Sequence, residues 1–305
     1  MKKAKILTVT LNPAIDYSVV VPSFRTDHVN RATGGRRDPG GKGINAATIT
    51  AGYGIDTTVT GFLGTDNSLI FDNHFKTCGF RDEFIYVEGS TREGIKITDP
   101  ADRVTTDINF NGFDIEQKAI DEFIFRFERL AVHHDMVLMS GSLPEGLPAD
   151  FYAILAGIAK NADLFTAVDT SGEALRAAVE SGTVDLIKPN EHELVEAFGD
   201  AGPADLLSRV GMVLLSLGED GSRLYTADAV YEASAPAVDA VSTVGAGDSF
   251  LAGFISALSF GKAPDDSLRF AAATAASKLT KYGPGVSIEN PPGGYYDSIK
   301  VRRIS

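Results

Sequence analysis

The sequence predicts an α/β fold, a mostly parallel sheet covered by helices on both faces, and three observations carry that prediction. From residue 116 to residue 198, helix-type and strand-type segments alternate regularly, the pattern that builds βαβ units. Near the start of the chain, and again between residues 84 and 111, short strand-like segments follow one another without a helix. They predict a small separate sheet inserted into the larger unit. Late in the chain, Val241-Ser242-Thr243-Val244-Gly245-Ala246-Gly247-Asp248-Ser249-Phe250 leads from a strand-like apolar run into a helical one through two glycines.

Composition bounds the function. With 305 residues the chain can bury a sizeable core as one domain. A net charge of −13 argues against nucleic acid as the main partner, and a phosphorylated ligand would need locally placed cations. Cys78 is the only cysteine, which excludes a disulfide framework or a cysteine metal cluster. The first apolar run ends by Thr10, too short for a signal segment or a membrane span, so a cytoplasmic protein is expected.

Taken in order, residues 6–10 form a buried-type strand. Leu11-Asn12-Pro13-Ala14-Ile15-Asp16 follow at its carboxyl end, where open α/β sheets place ligands. Asp16 there suits polyol hydroxyls, or is a turn residue after Pro13. Residues 17–21 and a stretch around 29–33 read as strands. Gly40-Gly41-Lys42-Gly43-Ile44-Asn45 open a helix toward Gly52, with Asn45 facing a ligand and Lys42 either a contact or an exposed lysine. Gly41-x-Gly43-x-x-Ala46 matches a dinucleotide fingerprint, but that fingerprint should join the first strand to the first helix, and here a long segment intervenes.

Residues 57–61 read as a strand and 67–78 as a helix. Residues 84–87, 94–97 and 105–110 give three short strands that pair with the first cluster in one small sheet. Arg92, at a turn between two of them, reaches a ligand phosphate or stands solvated. The regular part then runs through a helix at 116–131, a strand at 135–139 and the small-residue loop Ser140-Gly141-Ser142-Leu143-Pro144. A helix at 151–160, a strand at 164–168 ended by Asp169, a helix at 174–180 and a strand at 184–187 complete it. Lys188-Pro189-Asn190-Glu191-His192-Glu193 opens the next helix, and Asn190 and Glu193 share a face as a capping box or as holders of a hydrated Mg²⁺. Residues 213–217 are a buried strand, 223–225 and 230–231 a hairpin, and 268–279 an alanine-rich helix stopped by Gly283-Pro284-Gly285.

The turn at Gly245 is where chemistry is expected. Glycines let the backbone approach a bound group closely, and a helix start offers unpaired N–H groups and the positive end of a dipole. Asp248 beside such an anion hole is placed to take a proton from an alcohol; the alternative is a helix cap.

In this order, Asn12 to Asp16, Gly40 to Asn45, Ser140 to Pro144, Lys188-Pro189-Asn190-x-x-Glu193, Ser216-Leu217-Gly218 and Val244 to Ser249 resemble the ribokinase/PfkB sugar-kinase family over nearly the whole chain. Val29-Asn30-Arg31, Thr91-Arg92, residues 106–113 and Val241 to Val244 resemble most its 1-phosphofructokinase and tagatose-6-phosphate kinase branch. The resemblance implies a ribokinase-like three-layer α/β/α fold with a small β lid, its strands inserted at about residues 13–38 and 84–111, and a homodimer formed through that lid. It implies phosphorylation of a sugar phosphate by ATP with Mg²⁺: fructose 1-phosphate first, with tagatose 6-phosphate and fructose 6-phosphate as alternatives. Asp248 would be the base and the backbone of Gly245, Ala246 and Gly247 the anion hole. Asp16, Gly41, Lys42 and Asn45 would line the sugar, and Arg31 and Arg92 would hold its existing phosphate. Lys188, Asn190, Ser216, Gly218 and Gly221 would serve ATP, and Glu193, with Asn190 through water, the metal. One departure stands out: after Thr91-Arg92 the branch has a hydrophobic residue and Asn, where this chain has Glu93 and Gly94, which removes a polar sugar contact. A non-catalytic sensor on the same fold and a dinucleotide oxidoreductase are the competing classes. The intact Asp248 turn opposes the first, and the misplaced glycine fingerprint opposes the second.

Overall fold

The computed structural model describes residues 4–102 and 104–305. The first strand, β1 (Lys5–Thr10), leads into β2 (Ala14–Val20) and β3 (Gly34–Gly40) before the first helix, α1 (Lys42–Gly52). Next come β4 (Asp56–Gly64), α2 (Leu69–Cys78), β5 (Arg81–Asp82), β6 (Ile85–Val87), β7 (Glu93–Asp99) and β8 (Val104–Asn109). The alternating part runs α3 (Gln117–Ala131), β9 (Met136–Ser140), α4 (Phe151–Asn161), β10 (Phe165–Asp169), α5 (Gly172–Glu180), β11 (Leu186–Ile187), α6 (Glu191–Phe198) and β12 (Met212–Ser216). The hairpin β13 (Ser222–Thr226) and β14 (Val230–Ala233), α7 (Ala246–Ser259), α8 (Pro264–Leu279), α9 (Gly293–Tyr296) and β15 (Val301–Arg303) follow.

Among the described residues, eleven strands form one sheet in the order β15-β14-β13-β12-β11-β10-β9-β1-β4-β5, with β6 also paired to β4. Pairing is parallel from β12 to β5 and antiparallel only from β12 out to β15. Alternate residues of one strand enter different cores. Leu7, Val9, Val137 and Met139 pack with Phe123, Phe127, Tyr152 and Leu155 of α3 and α4. Ile6 and Leu138 pack with Phe250, Phe254 and Leu268 of α7 and α8 on the other face. Two apolar faces explain why the strands read as continuous hydrophobic runs, and each fully buried Leu or Phe contributes about 1.5–3 kcal/mol. Helix α7 is buried from Asp248 to Ala257, and apart from Asp248, Ser249 and Ser256 that stretch is apolar.

The second sheet has the order β3-β2-β7-β8, so the two early clusters do join. Its composition differs from the expectation in two places. The segment 84–87 is not part of it: Ile85 pairs with Phe62, and β6 extends the main sheet, because Phe84 and Ile85 bury almost completely in the core around α2 and α3. The small sheet's second half therefore begins at β7. The stretch 29–33 is not a strand either. The strand is the following segment, Gly-Gly-Arg-Arg-Asp-Pro-Gly, which has little β propensity and exists because β2 pairs with it. It tolerates Pro39 because it is an edge strand. The apolar run before α7 is an extended loop, not a strand; the N–H groups of Val241 and Ser242 bond the Leu279 carbonyl at 2.7 and 3.2 Å. Helix α9 and strand β15 carry no strong sequence signal and form where the C-terminus adds to β14.

Candidate active site

All parallel strands end at one edge, and the groups singled out in the sequence gather there: Asn12 after β1, Ser142 after β9, Asp169 ending β10, Lys188 after β11 and Ser216 ending β12. The amino end of α7 faces the same edge. Gly245 opens that helix at φ 76°, a left-handed conformation that favours glycine. The Ala246 N–H turns back to the Thr243 carbonyl (3.2 Å), so Ala246 is not a donor of the turn as expected; the N–H groups of Gly247 and Asp248 remain without a helical partner.

Asp248 does not cap α7: the cap position is Gly245 and no side chain caps it. Its Oδ2 accepts a hydrogen bond from Asn45 Nδ2 at 2.8 Å. Burial, and then the negative charge of Asp169, push the Asp248 carboxyl up to about 6, while the Asn45 amide, Lys42 and Lys188 act the other way. Asp169 itself is fully buried, and its Oδ1 receives both Lys42 (3.4 Å) and Lys188 (3.3 Å). Its Oδ2 has no hydrogen-bond partner. Burial opposes the Lys42 charge, but Asp169, Asp248 and Glu193 outweigh it and hold Lys42 above its ordinary range. In the sequence Asp169 reads only as a strand end, although a carboxylate closing a buried parallel strand is itself a signal.

Gly41 (φ 121°) and Gly43 explain how Lys42 and Asn45 reach this edge. A Cβ on Gly41 would lie 2.7 Å from Thr10 Cγ2, and one on Gly43 would collide with Thr10 and the Val9 carbonyl. The glycines seat α1 directly on the end of β1.

The small sheet forms the opposite wall. A cleft of about 1000 Å³ separates its inner face, with Asp16, Arg36, Asp38 and Lys96, from Asn45, Gly245 and Lys278. Lys96 Nζ lies 3.6 Å from Asp16 Oδ1, a partner the sequence did not suggest. Burial raises the Asp16 carboxyl against the pull of Lys96 and Arg92. At Gly94, where the polar contact is missing, Asn109 Oδ1 from the neighbouring strand stands 3.1 Å from the place of a Cβ.

Arg92 Nε donates to Asn12 Oδ1 (3.0 Å), and Asn12 Nδ2 donates to Ser142 Oγ (3.1 Å), which ties this end of the small sheet to β1 and β9. Arg31 is elsewhere. The Arg92 carbonyl bonds Ile15, whereas Thr33, just after Arg31, bonds Val20. The strand between spans about 17 Å. The segments that carry the two arginines are therefore anchored at opposite ends of β2.

On the other side, Asn190 and Glu193 form the capping box of α6: Asn190 Oδ1 accepts the Glu193 N–H (2.8 Å) and Glu193 Oε2 accepts the Asn190 N–H (2.9 Å). Glu193 Oε1 lies outside the box. Lys188 is buried, and Ser216 bridges to Asn190. Gly218 has open space around it, while a Cβ on Gly221 would strike the Ala233 carbonyl, so Gly221 has a packing reason of its own.

The profile of the pfkB family carbohydrate kinases matches residues 6–291. The chain belongs to that family. It is 38% identical over 291 residues to the 1-phosphofructokinase of Rhodobacter capsulatus, covering 92% of either chain. It is 34% identical over 293 residues to that of Escherichia coli strain K12, covering 93% of either chain. A crystal structure of a possible 1-phosphofructokinase from Thermotoga maritima superposes with a TM-score of 0.88 at 25% identity, over 99% of this chain and 100% of that one. The pfkB chain thus has the ribokinase-like architecture expected, a mostly parallel sheet between helices with a small separate sheet. As a member of a kinase family, this pfkB chain is a phosphotransferase acting on an alcohol.

Proposed function

We propose that this pfkB kinase is a 1-phosphofructokinase, which transfers the terminal phosphoryl group of ATP to the C6 hydroxyl of fructose 1-phosphate. The observation that carries the chemistry is Asp248, a buried carboxylate at a helix start with open N–H groups beside it. The substrate follows from the activity of the relatives. Asp248 Oδ2, oriented by Asn45, accepts the hydroxyl proton as the bond to phosphorus forms. A raised carboxyl is a better base for an alcohol and still ionised at neutral pH. The N–H groups of Gly247 and Asp248 and the dipole of α7 take up charge on the phosphoryl group. Lys42, toward the sugar, and Lys188, toward ATP, are both held by Asp169 and add two cations beside Asp248. Asp16, Lys96 and Asn45 orient the sugar hydroxyls, and Arg92 holds the phosphate already present, with bidentate geometry. Transfer of this kind depends mainly on positioning and charge.

The donor set suits Mg²⁺: the orphaned Asp169 Oδ2 and the Glu193 carboxylate are hard oxygens, and magnesium keeps most of its waters. When bound, the ion neutralises charge on the phosphates. We also propose a cytoplasmic homodimer joined through the small sheet. No helix among the described residues is long and apolar enough to cross a membrane. The outer face of that sheet carries Tyr17, Val19, Ile95, Ile97 and Ile108, opposite Asp16 and Lys96, an apolar face for a second copy.

ATP turnover with fructose 1-phosphate, fructose 6-phosphate and tagatose 6-phosphate tests the reading. The highest kcat/KM is expected for fructose 1-phosphate. A higher value for tagatose 6-phosphate would leave a sugar-phosphate kinase but overturn the named reaction.

A further inference from the structure

Lys278 lies in the last turn of α8 and is only 4% exposed. Its Nζ donates to the Lys281 carbonyl at 3.4 Å, and among the described residues it forms no ion pair. A buried ammonium without an anion is costly. Its place shows which anion would relieve that cost. Lys278 Cε is 3.5 Å from where a Cβ on Gly245 would stand, against the turn that opens α7, and the residue lines the same cleft as Gly245 and Asn45. The charged groups that face it are Asp248 of α7, Lys281 just beyond α8, and Asp38 and Arg36 of β3, the last two paired with each other at 2.6 Å. Burial, and then Lys281, bring Lys278 down to about 8, against the pull of Asp248. The mechanism above makes no use of this lysine.

We propose that Lys278 is a positioning residue of the anion hole: its ammonium sets a fixed positive charge behind Gly245, so that the turn holds the phosphoryl group in transfer more strongly than its N–H groups alone. This rests on the kinase reading given above. It adds a charge that the glycine turn cannot supply and that water cannot replace in a buried position.

The test uses Lys278→Met, which keeps the length and removes the charge, and Lys278→Arg, which keeps the charge. Lys278→Met is expected to lower kcat about tenfold or more with the KM for fructose 1-phosphate nearly unchanged. In the unaltered enzyme kcat/KM should fall as pH rises through about 8, where the ammonium loses its proton. That limb should vanish in Lys278→Met and move to higher pH in Lys278→Arg. Independently of turnover, inorganic phosphate should raise the Tm of the unaltered protein more than that of Lys278→Met. Equal turnover with an unchanged alkaline limb, or equal stabilisation by phosphate, overturns the role of Lys278 while the Asp248 base stands. If the unaltered protein consumes no ATP with any sugar phosphate, the kinase reading fails, and the phosphate comparison still decides whether Lys278 serves an anion.

Discussion

At the scale of the residue, the proposed base Asp248 carries a stability cost. Its carboxyl is raised because burial and Asp169 disfavour the charge, so the ionised form that the proposed base needs is the form the fold tolerates least. In the Asp248→Asn variant kcat should fall by roughly 10²–10⁴, with ATP affinity nearly kept; near-normal turnover would remove Asp248 from the mechanism. The sign of the stability effect follows from linkage. A carboxyl whose folded value lies above its unfolded one loses stability as pH rises through about 6. Asp248→Asn should therefore be more stable than the unaltered protein at pH 8, by up to about 3 kcal/mol, and equal to it below pH 4. Urea unfolding at the two pH values measures this. The kcat/KM of the unaltered enzyme should rise with pH through about 6 as Asp248 ionises.

At the scale of the element, the α6 motif has a structural role as a capping box and a proposed one toward Mg²⁺. The capping box engages Glu193 Oε2 and leaves Oε1 outside it. Glutamine satisfies the same box, so Glu193→Gln removes charge and little else. The Mg²⁺ concentration for half-maximal activity should rise several-fold and kcat should fall, with Tm nearly unchanged. A metal response identical to that of the unaltered enzyme would reduce Glu193 to the cap.

At the scale of the whole molecule, the separation of Arg31 from Arg92 bears on the proposed dimer. If copies join through the small sheet, Arg31 serves a sugar phosphate only across that interface. Arg31→Ala and Arg92→Ala should each raise the KM for the sugar phosphate far more than the KM for ATP. Mixing the two variants should then recover about a quarter of full activity, because half of the random dimers carry one intact site. No recovery on mixing would place both arginines in the service of their own chain.

The sequence by itself determined what local pattern and covalent geometry can fix. The alternation from α3 to β12 was legible because a strand buried on both faces must be apolar throughout, and a crossover helix must return over the sheet. The turn at Gly245, the glycine-lined start of α1 and the box of α6 were legible because each depends on a few neighbouring residues. The tertiary structure alone decided the rest. Nothing local in Gly34–Gly40 marks a strand; β2 makes it one. Nothing local sends Ile85 to the main sheet and Ile95 to the small one, since both are short apolar segments, and the burial of Phe84 beside α2 settles it. Asp169, Lys96 and Lys278 become members of the site only when distant segments meet. A charge gains its meaning from partners a few ångströms away, and those partners are set by the packing of the whole chain.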